Sequence, residues 1–97
     1  MRALTYSAIK EFIRKESNVN IDYSRTVCEH FKAFDCDVYL IFQQNNQAKQ
    51  FIVDIERRGK LYSLKFSGPF KAEDIRKITY LVMKKIKQNK RSVKRNR

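Results

Sequence analysis

Two cysteines, one histidine and a pair of aspartates come closest to a chemical constellation in this chain of 97 residues. Cys28, His30 and Cys36 lie close together in sequence. Thiolate and imidazole are donors that zinc favours, but a closed zinc site needs four ligands, and no C-x2-C or H-x3-H pair is present. The expectation is therefore no metal and no cofactor, with both cysteines as free thiols filling gaps in the core. Asp35 and Asp37 form a pair of carboxylates, read as caps for a helix end and a strand edge. His30, placed mid-helix by its spacing, reads as a solvated surface histidine. There is no glycine-rich phosphate loop, no Ser/His/Asp set and no Cys–His pair with an orienting group. What is left is a protein expected to bind and not to catalyse.

The charge says more. The formal net charge is +12. From Lys84 to the C-terminus the basic residues are Lys84, Lys85, Lys87, Lys90, Arg91, Lys94, Arg95 and Arg97, with no acidic residue among them. Residues 1–83 carry the remaining +4, so the charge is concentrated at one end. The expected organisation is one domain over residues 1–88 and a flexible basic tail over 89–97. Lys87, Lys90, Arg91, Lys94, Arg95 and Arg97 recur at intervals that let a helix present them to a line of phosphates, DNA or RNA, with affinity falling steeply as salt rises. Arg57, Arg58 and Lys60 make a smaller cluster at a turn. Tyr39 and Tyr62 are candidate stacking platforms for bases, although a packed strand face explains them as well.

The elements that must position these groups follow from periodicity. Residues 37–42 read as a strand, β-branched and aromatic between turn residues. Residues 61–67 alternate as a half-buried strand, with Tyr62, Leu64 and Phe66 on the apolar face. Residues 72–88 read as a helix with Ile75, Ile78, Val82 and Ile86 as its stripe. Glu73 and Asp74 stand at the start of that helix and lysines at its end, as its dipole favours. Residues 23–34 also read as a helix, from Val27, Cys28, Phe31 and Phe34. Residues 4–16 and 48–56 fit helix or strand. The fold class is α+β: a small open-faced sandwich, mostly antiparallel, with helices packed on one face. No apolar run approaches the roughly 18–20 residues of a membrane-spanning helix. Met1-Arg2-Ala3-Leu4-Thr5-Tyr6 does not resemble a secretory signal, so the expected location is cytoplasmic.

The order of these segments resembles a known family. Phe34-Asp35-Cys36-Asp37-Val38-Tyr39-Leu40-Ile41-Phe42, following a helical pattern, resembles the second strand of HPr, the histidine-containing phosphocarrier of the sugar phosphotransferase system. Ala48-Lys49-Gln50-Phe51-Ile52-Val53-Asp54-Ile55 is similar to that family's short regulatory helix. Gly59-Lys60-Leu61-Tyr62-Ser63-Leu64-Lys65-Phe66-Ser67-Gly68 is similar to its last strand. The resemblance implies a β-α-β-β-α-β-α order over about residues 8–88, with 10–16 as the first strand.

It also implies a degenerate member. The phosphorylated histidine of the family falls at Asn20 here, its arginine at Asp22, its proline at Tyr23 and its regulatory serine near Gln50. An asparagine amide is no nucleophile, and the Asp22 carboxylate would repel phosphate. Phe51 and Ile52 are then candidates for a docking patch. Two functions follow as expectations. One is a non-phosphorylatable regulatory module acting on a protein partner. The other is a small nucleic-acid-binding protein that uses its C-terminal cations.

Overall fold

The computed structural model describes residues 2–18, 25–44 and 48–95, with side chains of the last stretch described as far as Asn89. The elements are β1 (Arg2–Ala3), α1 (Tyr6–Ser17), β2 (Arg25–Ala33), β3 (Cys36–Gln44), β4 (Lys49–Arg57), β5 (Lys60–Ser67) and α2 (Ala72–Arg95). The strands lie in the order β1-β2-β3-β4-β5. β1 pairs parallel to β2, and every other neighbouring pair is antiparallel. The α+β class, the largely antiparallel sheet and the one-sided helices are as the periodicity predicts.

The element order is not that of HPr. Residues 10–16 belong to α1 and not to a first strand. Residues 25–33, expected as a helix, form β2, and the stretch similar to a regulatory helix is β4. Asn20 and Asp22 lie outside the described residues. Gln50 stands in β4 opposite Ser67 of β5.

Each correction has a local cause. Thr5 starts α1: its Oγ1 accepts a hydrogen bond from the Ala8 N–H at 3.1 Å. Ile9, Phe12 and Ile13 then recur on one helical face, all buried. Thr5→Ala is expected to lower stability by about 1 kcal/mol, read as a shift in the denaturant midpoint with unchanged slope.

β2 and β3 are joined by Phe34 and Asp35, both at positive φ (51° and 66°). β4 and β5 are joined by Arg58 and Gly59, again both positive (52° and 81°). Two positive-φ residues in a row make the tight hairpin turn whose twist matches the flanking strands. These turns set the register from Ala33↔Cys36 to Arg25↔Gln44, and from Arg57↔Lys60 to Gln50↔Ser67.

Side chains alternate across the sheet. Phe31 of β2, Val38, Leu40 and Phe42 of β3, and Phe51, Val53 and Ile55 of β4 point to one side. They meet Ile9, Phe12 and Ile13 of α1 and Ile75, Ile78, Val82, Met83 and Ile86 of α2 in one core. Phe12 and Phe51 pack ring against ring, with centroids 5.9 Å apart. Both helices therefore lie on the same face, and the opposite face of β2–β5 has no helix over it among the described residues.

The candidate docking pair is split by this alternation. Phe51 is fully buried in the core, while Ile52 points to the open face.

Candidate nucleic-acid interface

The helical side of the protein carries a group of exposed cations. On α1, Arg14 and Lys15 are exposed, and Lys10 is half-buried. On α2, Arg76, Lys77, Lys84 and Lys87 are exposed opposite the buried stripe of Ile75, Ile78, Val82 and Ile86. The acidic residues of the two helices are accounted for. Glu16 is buried and pairs with Arg25 at 2.6 Å. Asp74 accepts from the Lys71 N–H at 3.1 Å, closing the first turn of α2. Glu11 lies 3.7 Å from Arg14, and Glu73 is exposed in the first turn of α2. Among the described residues, Lys77 and Lys84 have no acidic partner, which leaves them available to an anion.

The backbone of α2 runs on unbroken through Lys90, Arg91, Lys94 and Arg95. Asn89 is the last buried residue among those described. The side chains of Lys90, Arg91, Lys94 and Arg95, and all of Arg97, lie outside what is described. Lys87, the first of the sequence candidates, is exposed, and its ammonium lies 6.0 Å from the centre of the Phe34 ring.

Sequence periodicity missed the contribution of α1 and the first half of α2. Lys10 with Arg14, and Lys77 with Lys84 at i and i+7, were visible as spacings opposite an apolar stripe. Tyr80 was also missed. It is 55 % exposed between these cations, beside Leu81, at a shallow depression of about 460 Å³ lined by Arg76, Lys77, Tyr80 and Leu81. An exposed aromatic among cations is what base stacking beside a phosphate chain uses.

The open sheet face is different in kind. Its rows run Lys32–Asp37–Glu56–Leu61, His30–Tyr39–Asp54–Ser63, Cys28–Ile41–Ile52–Lys65 and Thr26–Gln43–Gln50–Ser67. Lys32 and Lys65 stand there against Asp37, Asp54 and Glu56. His30 is not on a helix. It is a strand residue stacked on Tyr39, with centroids 4.5 Å apart and planes at 9°, and its Nε2 lies 2.9 Å from Asp37 Oδ1.

Asp37 also receives the Lys32 ammonium at 3.1 Å. The His30 hydrogen bond, and then that of Lys32, hold the Asp37 carboxyl below its ordinary value. A carboxyl lowered on folding adds stability above its unfolded pKa and loses it as pH falls through the folded value. Acid titration from pH ~5 to ~2.5 should therefore show a destabilisation that Asp37→Asn removes in part, read by denaturant midpoints at each pH.

Asp54 accepts from the Ser63 hydroxyl. Ser63 is three strands from His30, about 14 Å at ordinary strand spacing, so His30, an aspartate and Ser63 do not assemble a catalytic triad.

The other sequence candidates divide between the two faces. Tyr39 is on the open face, as a stacking platform requires. Tyr62 is on the core side, with the Lys85 ammonium 5.6 Å from its ring centre. Cys36 is buried, and burial pushes its thiol up. Cys28 is exposed on the open face and fills no core gap. Asp35 caps no helix: it sits in the β2–β3 turn, 3.3 Å from the Arg57 guanidinium. That contact removes the mostly buried Arg57 from the basic cluster and leaves Arg58 and Lys60 exposed. Among the described residues no group of three His, Cys, Asp or Glu is placed to hold a metal ion. No helix among them is long and apolar enough to cross a membrane.

Fold and surface together define a small α+β protein with a basic two-helix side and a weakly charged open sheet. Compared with family models, with curated proteins and with solved structures, the chain matches none.

Proposed function

We propose that this protein is a non-catalytic nucleic-acid-binding protein that grips the phosphate backbone with its helical side. One observation carries the reading: the exposed cations of α1 and α2 share a side, while the opposite sheet face offers two lysines against three carboxylates. A solubilising charge has no reason to be one-sided, whereas a surface for a polyanion must be. The backbone of α2 continues through Lys90, Arg91, Lys94 and Arg95, the cationic run of the sequence. Recognition by phosphate contacts positions a strand without reading its sequence. The regulatory alternative took its support from an HPr-like order that the elements do not follow.

The test is an anisotropy titration of the full chain with a labelled oligonucleotide at several salt concentrations. Four held phosphates would give about a hundredfold loss of affinity between ~50 and ~200 mM salt. An absence of binding at low salt would refute the reading.

A further inference from the structure

We propose that the cleft between the end of α1 and the start of α2 is a phosphate site that takes a phosphomonoester dianion. The proposal rests on the nucleic-acid reading and deepens it by naming the group that would be recognised at a strand end. The cleft encloses about 410 Å³. That is within the ~300–1,000 Å³ of small-molecule sites. Lys10, Arg14, Ser17 and Asn18 line it from α1, and Phe70, Ile75 and Arg76 from the other side.

Among the described residues the charge lining this cleft is all of one sign: Lys10, Arg14 and Arg76 reach it, and no carboxylate lines it. Lys10 and Arg14 are four residues apart on one helix, where like charges repel. Arg14 has only the long 3.7 Å contact with Glu11, both side chains largely exposed, which is worth little. Among the described residues Lys10 and Arg76 have no ionic partner. Three like charges around one concavity oppose folding unless an anion offsets them.

The neighbouring groups narrow the anion. A terminal phosphate carries two charges and three acceptor oxygens, which suits two guanidinium groups and an ammonium better than a singly charged diester does. Ser17 and Asn18 add neutral polar groups. Phe70 and Ile75 add an apolar wall, which a bare phosphate does not use but an attached sugar or base does. The negative end of α1 is offset because the Lys49 ammonium donates to the Ser17 carbonyl. The first turn of α2 is already closed by Asp74, so the side chains, not the helix end, make the site.

The same phosphate could be a free mononucleotide or the end of a strand, and the experiment separates them. Anisotropy is measured with one 3′-labelled oligonucleotide bearing either a 5′-phosphate or a 5′-hydroxyl. In parallel, amide spectra of the full chain are followed during titration with inorganic phosphate and with adenosine monophosphate.

The 5′-phosphate strand should bind about tenfold tighter, and R14Q/R76Q should bring the ratio to about one. K77Q/K84Q should weaken both strands and leave the ratio intact. Equal affinity for the two strands, with amides of residues 10–18 and 70–77 unmoved by either small molecule, overturns the site while leaving backbone binding standing. If neither strand binds but adenosine monophosphate moves those amides, the nucleic-acid reading falls and the site stands as one for a free nucleotide. If nothing binds, both fall.

Discussion

Replacing Lys77, Lys84 and Lys87 together with glutamine is expected to lower affinity for nucleic acid about a hundredfold at ~0.1 M salt. It should also cut the slope of log affinity against log salt by about three. All three side chains are exposed on α2, so the fold should survive, which circular dichroism can confirm. The loss should be the same for unrelated oligonucleotide sequences, because phosphate contacts carry no base information. Placing the same number of neutral substitutions on the open sheet face, Lys32→Gln and Lys65→Gln with Thr26→Ala, should leave affinity nearly unchanged. A loss of equal size per charge removed from both sets would mean that bulk charge, not one side, is what binds.

The second large effect concerns the core. Phe51→Ala is expected to destabilise the protein by about 3–5 kcal/mol, read by chemical denaturation. Phe51 is fully buried between the Phe12 ring at 5.9 Å and the Phe66 ring at 6.1 Å. Truncation removes a large apolar surface and leaves a cavity that two helices and two strands cannot collapse together. Phe51→Leu, which keeps most of the volume, should cost much less. The adjacent Ile52→Ala should also cost less, because Ile52 packs outside the core cluster on the open face. That contrast between neighbours is the direct test of the strand assignment, since on a helix consecutive residues share more of their surroundings.

Parts of this architecture were legible because their periodicity admits one reading. Tyr62, Leu64 and Phe66 alternate without interruption, and Ile75, Ile78, Val82 and Ile86 recur only as a helix. β2 was not legible for a physical reason. Val27 and Phe31 are four apart, which fits a helix turn and also two strand repeats. The residue between them on the core side, Glu29, reads as a strand-breaker of the apolar pattern. It is tolerated there because it sits at the sheet edge and is paired with Arg2, whose guanidinium also lies 4.7 Å over the Phe31 ring. That pairing depends on β1, more than twenty residues away, and no local window contains it.

β4 was ambiguous because Phe51, Ile52 and Val53 are consecutive apolar residues, all three buried, so the alternation is lost. The candidate site was half legible. The terminal cations announce themselves as a run. Arg14 and Arg76 are far apart in sequence and line one cleft only because α1 and α2 lie side by side.

The strand order has a kinetic consequence. β2, β3, β4 and β5 pair with one another through successive hairpins, so the greater part of the sheet can close without bringing distant segments together. The long loop closures are those that dock β1 on β2 and α1 on α2. A transition state built on the β2–β5 meander is the economical route, with the two-helix side completed afterwards. Substitutions such as Thr5→Ala would then act mainly on the unfolding rate, and Phe51→Leu on the folding rate. On that route the two-helix side, proposed to meet a polyanion, is the last part of the protein to exist and the first to be lost.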